Sequence, residues 1–131
     1  MNNFHLNTII MLSLIFGVCC NQNKFSGVIE ETSPERVALT ELGTALMIYR
    51  DENQGRWPNN WVTLNKYKEL CPSAISELKE NKIIMLTKNG FDNTDVVAFE
   101  KNAPNHGGWV LLGDNKTTKK MAPEELKNLI K

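Results

Sequence analysis

The chain has 131 residues, 15 basic and 15 acidic side chains, a formal net charge of zero and 41% hydrophobic residues. No block of like charge occurs, and the densest basic run, Lys116 to Lys120, holds three lysines; this excludes the basic stripe of a nucleic-acid binder. Only Cys71 lies beyond residue 20, so an internal disulfide framework is excluded as well.

The first element is a compartment label. Met1 to Asn7 is mostly polar, Thr8 to Val18 is almost wholly apolar, and Cys19-Cys20 closes the run. The apolar stretch is shorter than the ~20 residues of a membrane-spanning helix and has the size of the apolar core of an export signal. A cysteine at its end resembles a bacterial lipoprotein signal, with Cys20, or Cys19, as the lipid acceptor. The usual Leu-(Ala/Ser)-(Gly/Ala) triplet does not precede either cysteine, and no Lys or Arg precedes the apolar run. Lipidation, plain cleavage and a retained anchor therefore all stay open. Residues 1–20 are set apart from the fold as an export signal, 21–33 read as a tether, and 34–131 as one globular domain. The expected location is the cell envelope, periplasmic or membrane-anchored, with the membrane as a partner through the lipid.

Thr32-Ser33-Pro34-Glu35 predicts a helix start: Ser33 caps, Pro34 fits the first turn and Glu35 favours the positive end of the dipole. Arg36 stands where a full capping box needs Glu or Gln. Ala38, Leu42, Ala45, Leu46 and Tyr49 recur at helical spacing, and Val37, Leu39, Met47 and Ile48 widen the stripe, which predicts cover on more than one side. Asp51 to Asn60 ends the helix with Asn, Gly and Pro. A short helical segment follows over Val62 to Leu70, Pro72 breaks the chain, and Ser73 to Glu80 makes another turn of helix. Strands are predicted over Lys82 to Thr87, Asp95 to Glu100, Trp109 to Leu112 and Lys116 to Met121. Asn89-Gly90 is a hairpin signal, and Gly113-Asp114-Asn115 turns the chain between the last two strands. Pro123-Glu124-Glu125 opens a C-terminal helix with Leu126, Leu129 and Ile130 facing inward. The expected fold class is α+β: one long N-terminal amphipathic helix packed on a three- or four-stranded antiparallel sheet, with short helices between and at the end.

Two separated segments carry a resemblance. Gly43 to Pro58 ends a helix in an aromatic, runs through an Asn-containing polar turn and closes on Gly55-Arg56-Trp57-Pro58; Leu64, Tyr67 and Cys71-Pro72 follow. Val97 to Glu100, His106-Gly107-Gly108 and Val110 to Lys116 form the second segment. Together they resemble the globular head of type II secretion pseudopilins, in the prepilin-like form of planctomycetes and verrucomicrobia, over residues 34–125 in patches. The resemblance implies a pilin-like head and a role as a secretion- or pilus-related accessory, with other envelope proteins as partners. Two departures stand out. Asn115 follows Asp114 where the family has Gly. No prepilin-peptidase site or long apolar assembly helix precedes the head, which implies a tethered or free head instead of a filament subunit.

Glu100, His106 and Asp114 are the constellation best suited to a metal or an acid–base pair. All three fall at predicted strand ends or turns, where Asp114 can also cap a turn and His106-Gly107-Gly108 reads as a loop. Asp92-Asn93-Thr94-Asp95 offers clustered oxygens, and some pseudopilins hold calcium in a loop between strands. A full calcium site needs six to eight oxygens, so a plain hairpin loop is the simpler reading of Asp92 and Asp95. Trp57, Trp61 and Trp109 suit either a binding surface or closure of the core. Cys71, before Pro72, has no visible His or helix N-terminus to activate it and reads as a buried or loop thiol, with pairing between chains as the alternative. Ser33, Ser73 and Ser76 lack a nucleophile-elbow context, and no phosphate loop occurs. The expected function is non-enzymatic and cofactor-free: recognition by a surface around Trp57, Trp61 and His106. The alternative is a small metal- or calcium-binding module, or a metal-dependent enzyme, using Glu100, His106 and Asp114.

Overall fold

The computed structural model describes residues 32–131. The export-signal reading of residues 1–20, lipidation at Cys20 or Cys19, and nearly all of the tether lie outside the described residues. Helix α1, Pro34–Glu52, starts as the sequence implies: the Ser33 side chain accepts the Arg36 N–H at 3.1 Å. It stops where Gln54 and Gly55 take positive φ and the Gly55 N–H returns to the Arg50 carbonyl at 2.7 Å. A 3-10 helix, Trp61–Tyr67, follows, shorter than expected and capped by the Asn60 side chain. Helix α2 spans Pro72–Lys79. Pro72 opens this helix instead of breaking the chain, because a first-turn proline lacks only an N–H that the helix would leave unpaired anyway.

The strands are β1, Ile83–Met85; β2, Val96–Glu100; β3, Gly108–Leu112; and β4, Thr118–Met121. They form one antiparallel sheet in the order β1-β2-β3-β4. A one-turn helix α3, Ala103–His106, joins β2 to β3 where the sequence suggested only a loop, and α4, Pro123–Leu129, closes the chain. The fold is α+β, with a long helix on a four-stranded antiparallel sheet.

The sheet has two covered faces. Trp109, Leu111, Ile83, Val97 and Ala98 pack with Leu39, Leu42, Ala45 and Leu46 of α1 and with Ala74, Ile75 and Leu78 of α2. An irregularity between Val96 and Ala98 in the β2–β3 pairing places Val97 and Ala98 in the same cluster. The opposite face, Val96, Phe99, Val110 and Met121, is covered by Ala103 and Leu126. Val37 and Met47, expected to widen the buried stripe, are exposed, as is Leu129; α1 has α2 and the sheet as neighbours, and its remaining side faces solvent. Among the described residues no helix is long and apolar enough to cross a membrane.

Asn89-Gly90 does not make a two-residue hairpin. The connection from β1 to β2 runs from Leu86 to Asp95, and neither Asn89 nor Gly90 has positive φ. The turn is made later, where the Asp95 carboxylate accepts the Asp92 N–H at 3.0 Å and the Asp95 N–H donates to the Asp92 carbonyl at 3.0 Å. This loop rests on Gly113, where a β-carbon would stand 2.0 Å from the Asp92 carbonyl oxygen.

Gly43 is the corresponding contact in α1. A β-carbon there would meet the Asn115 carbonyl oxygen at 2.3 Å. Alanine at a helix interior gains ~1 kcal/mol of propensity over glycine, but a backbone carbonyl cannot swing aside as a side chain can. Overpacking therefore wins: Gly43→Ala is expected to lower stability by roughly 1–3 kcal/mol, read by urea denaturation. A stabilised variant would show that the β3–β4 turn is not held against α1.

Candidate functional site

Glu100 and His106 come together and Asp114 does not. Glu100 ends β2 and His106 ends α3, and both line one open cavity of about 600 Å³ with Ser33, Trp109 and Lys120. Asp114 lies beyond the other end of β3, whose five residues carry the chain roughly 13 Å. Its carboxylate instead caps the β3–β4 turn, accepting the N–H groups of Lys116 at 3.0 Å and Thr117 at 2.8 Å together with the Thr117 hydroxyl. Asn115 takes φ 59° in this turn, the left-handed conformation that Asn tolerates best after Gly; this is how the chain dispenses with the expected glycine. Among the described residues no group of three His, Cys, Asp or Glu side chains could hold a metal ion together.

The glycines after His106 have separate tasks. Gly107, at φ 75°, reverses the chain out of α3. Gly108 leaves room for Glu100: a β-carbon there would stand 2.3 Å from the Glu100 Oε2 and 3.0 Å from the Ala103 Cβ. The carboxylate is thus folded over the start of β3, beside the exposed His106. Trp109 forms the wall nearest α1. It is 6% exposed, with the Arg36 guanidinium 4.7 Å and the Lys120 ammonium 5.5 Å from its ring centroid, an arrangement that draws on the negative face of the indole. Ser33 is committed to capping α1. The cavity offers a carboxylate, an imidazole and an aromatic wall, a set suited to holding a ligand of mixed polar and aromatic character.

Trp57 and Trp61 belong elsewhere. Trp57 lies between the Arg50 guanidinium, 4.4 Å from its ring centroid, and the Phe91 ring, edge-on at 4.8 Å. Both tryptophans are partly buried against the main core. They sit at the C-terminal end of α1, whose 19 residues separate them by about 27 Å of helix from the Ser33 end, where His106 lies. The expected joint surface around Trp57, Trp61 and His106 is therefore two places. Near the tryptophans, the Glu52 carboxylate accepts the Lys66 ammonium and, at 2.6 Å, the Tyr67 hydroxyl, fastening the 3-10 helix to the end of α1.

Asp92 and Asp95 are parts of the β1–β2 loop. Asp95 is held by the Lys88 ammonium at 2.9 Å as well as by the Asp92 N–H, so its oxygens serve the turn. Cys71 is 1% exposed and stands at the N-cap of α2, a helix N-terminus that the sequence did not reveal. Burial pushes its thiol up, the nearby Glu41 carboxylate adds to this, and a hydrogen bond with the Ala45 backbone acts the other way. A thiol so covered offers no sulfur to a second chain in the folded state. Glu41 supplies what Cys71 does not, a side-chain cap for α2: its carboxylate accepts the Ala74 N–H and the Ser73 hydroxyl, each at 3.0 Å.

No family model, curated protein or solved structure matches the chain.

The turn carboxylates make stability acid-sensitive. The Lys88 ammonium and the Asp92 N–H hold the Asp95 carboxyl below its ordinary value. At Asp114 burial works upward, but the hydrogen bonds from Thr117 and the Lys116 N–H outweigh it and the net shift is also downward. A carboxyl with a lowered folded pKa contributes stability that is complete above its unfolded pKa, near ~4, and lost as pH falls through the folded value. Stability is therefore expected to be level from pH 7 to about 5 and to fall below ~4. In Asp95→Asn and Asp114→Asn the urea midpoint is expected to be lower at pH 7 and flatter toward acid. An acid limb as steep in the double variant as in the parent would contradict this origin.

Proposed function

We propose that this chain is an exported, envelope-associated protein held at the membrane by a lipid on Cys20 (or Cys19), whose head works by recognition and not by turnover. The observation that carries this reading is the position of the cavity holding Glu100, His106 and Trp109. It is lined by Ser33, the residue through which the head joins the tether. The 13 residues from 21 to 33 limit the distance between Cys20 and α1 to roughly 50 Å. A lipid on Cys20 therefore keeps this cavity within reach of envelope components near the membrane. A long helix first and an antiparallel meander after it is also the architecture that the pseudopilin resemblance implies, which supports a secretion- or pilus-related accessory role for the head.

The test is the mass of the mature protein isolated from membranes. A chain beginning at Cys20, or Cys19, and carrying acyl mass is expected, with release from the membrane in the Cys19→Ser/Cys20→Ser variant. An uncleaved, unmodified terminus would contradict the tethered reading. A stoichiometric metal ion in the purified protein, lost in His106→Ala, would replace recognition with a metal site.

A further inference from the structure

We propose that Asn89 is a site of spontaneous deamidation, converting in the folded chain through a cyclic imide to isoaspartate and aspartate, with water as the only co-reactant. Asn89-Gly90 is the one Asn-Gly pair in the sequence. A two-residue hairpin would hold such a pair at positive φ between paired strands. Here neither residue has positive φ, and the pair lies within the connection between β1 and β2. That connection is fastened on either side of the pair. The Leu86 N–H donates to the Val97 carbonyl at 2.8 Å, and the Asp95 carboxylate holds the Asp92 N–H and the Lys88 ammonium. Asn89 and Gly90 themselves are exposed, and no hydrogen bond among the described residues engages the Asn89 side chain or the Gly90 N–H.

The chemistry needs a free main-chain nitrogen that reaches the side-chain carbonyl carbon of the residue before it. The Gly90 nitrogen attacks Asn89 Cγ, an N–Cγ bond forms and the Cγ–Nδ2 bond breaks. The Gly90 N–H proton leaves with the side-chain NH2 group as ammonia. Water then opens the imide. Cleavage of its bond to the Asn89 main-chain carbonyl leaves isoaspartate, and cleavage of its bond to Cγ leaves aspartate. Glycine favours the first step because it has no β-carbon to obstruct the approach and little backbone restriction. The space around Gly90 is open as well: even an added β-carbon would meet nothing within 4 Å. Asn115 is the opposite case, buried in the β3–β4 turn with the next N–H, that of Lys116, held by Asp114. Either product at position 89 replaces a neutral amide with a carboxylate next to Lys88, whose ammonium is 2.9 Å from Asp95. Each conversion takes the formal net charge from zero to one negative.

The test is peptide mapping of the full mature chain after incubation under native conditions at mildly alkaline pH, with isoaspartate scored by an isoaspartate-specific methyltransferase. Conversion at Asn89 is expected at least tenfold faster than at any other asparagine of residues 32–131, with isoaspartate among the products. Isoaspartate separates the imide route from direct hydrolysis, which gives aspartate alone. The rate in the folded chain is expected within tenfold of that in the urea-unfolded chain, because the loop offers the pair no protection. Gly90→Ala, which the open space and the backbone at this position accommodate, is expected to slow conversion at least tenfold. An Asn89 that stays intact, products without isoaspartate, a lead of less than tenfold over the other asparagines, protection of more than tenfold by folding, or less than tenfold slowing in Gly90→Ala would each overturn the proposal. The mass of the mature N-terminus bears on none of these outcomes, so this site and the tethered reading fail separately.

Discussion

Two contacts two residues apart on α1 fix how the rest of the molecule can be arranged. On one flank the Glu41 carboxylate caps α2, replacing the side-chain cap that Cys71 does not provide. On the other, Gly43 lets the Asn115 carbonyl approach closer than any β-carbon would allow. The first sets where α2 begins and the second sets how near the β3–β4 turn can lie. Because both lie on one rigid turn, α2 and the sheet are positioned relative to each other through α1. The apolar residues between, Leu42, Ala45 and Leu46, then fill the space that these polar and backbone contacts define.

This arrangement explains why two recesses gather at one end. Ser33 lines the cavity with Glu100 and His106, and Pro34 lines a cleft with Glu77. The first turn of α1 thus separates two recesses of different character. One has an aromatic wall bearing two cations and a carboxylate folded over Gly108. The other mixes the apolar Val37 and prolines with Thr32, Ser73, Ser76 and Glu77. A head tethered just upstream of Ser33 would present both recesses around its attachment point. At the far end of α1 the Trp57 ring is engaged by Arg50 and Phe91, and Trp57 and Trp61 both pack against the core.

Features governed by local sequence were readable in advance. The Ser33 cap, the Leu42 and Leu46 stripe, four strands and a C-terminal helix opening at Pro123 follow from capping chemistry and periodicity. The departures were settled by distant partners. Asn89-Gly90 carries a hairpin signal, yet Asp95 and Gly113 make the turn elsewhere. Pro72 looked like a breaker until Glu41, 31 positions earlier by number, supplied a cap for the helix it opens. Glu100 and His106 could be paired from their places around a β2–β3 connection, but the length of β3 removes Asp114 from them. Glu77 gave no sequence signal: it is one glutamate on a short helix, and only the tertiary fold buries it. Ser73 and Ser76 were read only as lacking a nucleophile context, because the Glu41 carboxylate that Ser73 serves is brought to it by the fold.

The central claim is that α1 organises the molecule through its two flanks, and native-state hydrogen exchange of Glu41→Ala tests it most directly. Loss of a cap worth ~1.4 kcal/mol is expected to speed exchange of the α2 amides, Ala74 to Leu78, by about tenfold while Leu42 to Leu46 and β3 change less. Unchanged α2 protection, or an equal loss at every protected amide, would contradict the claim.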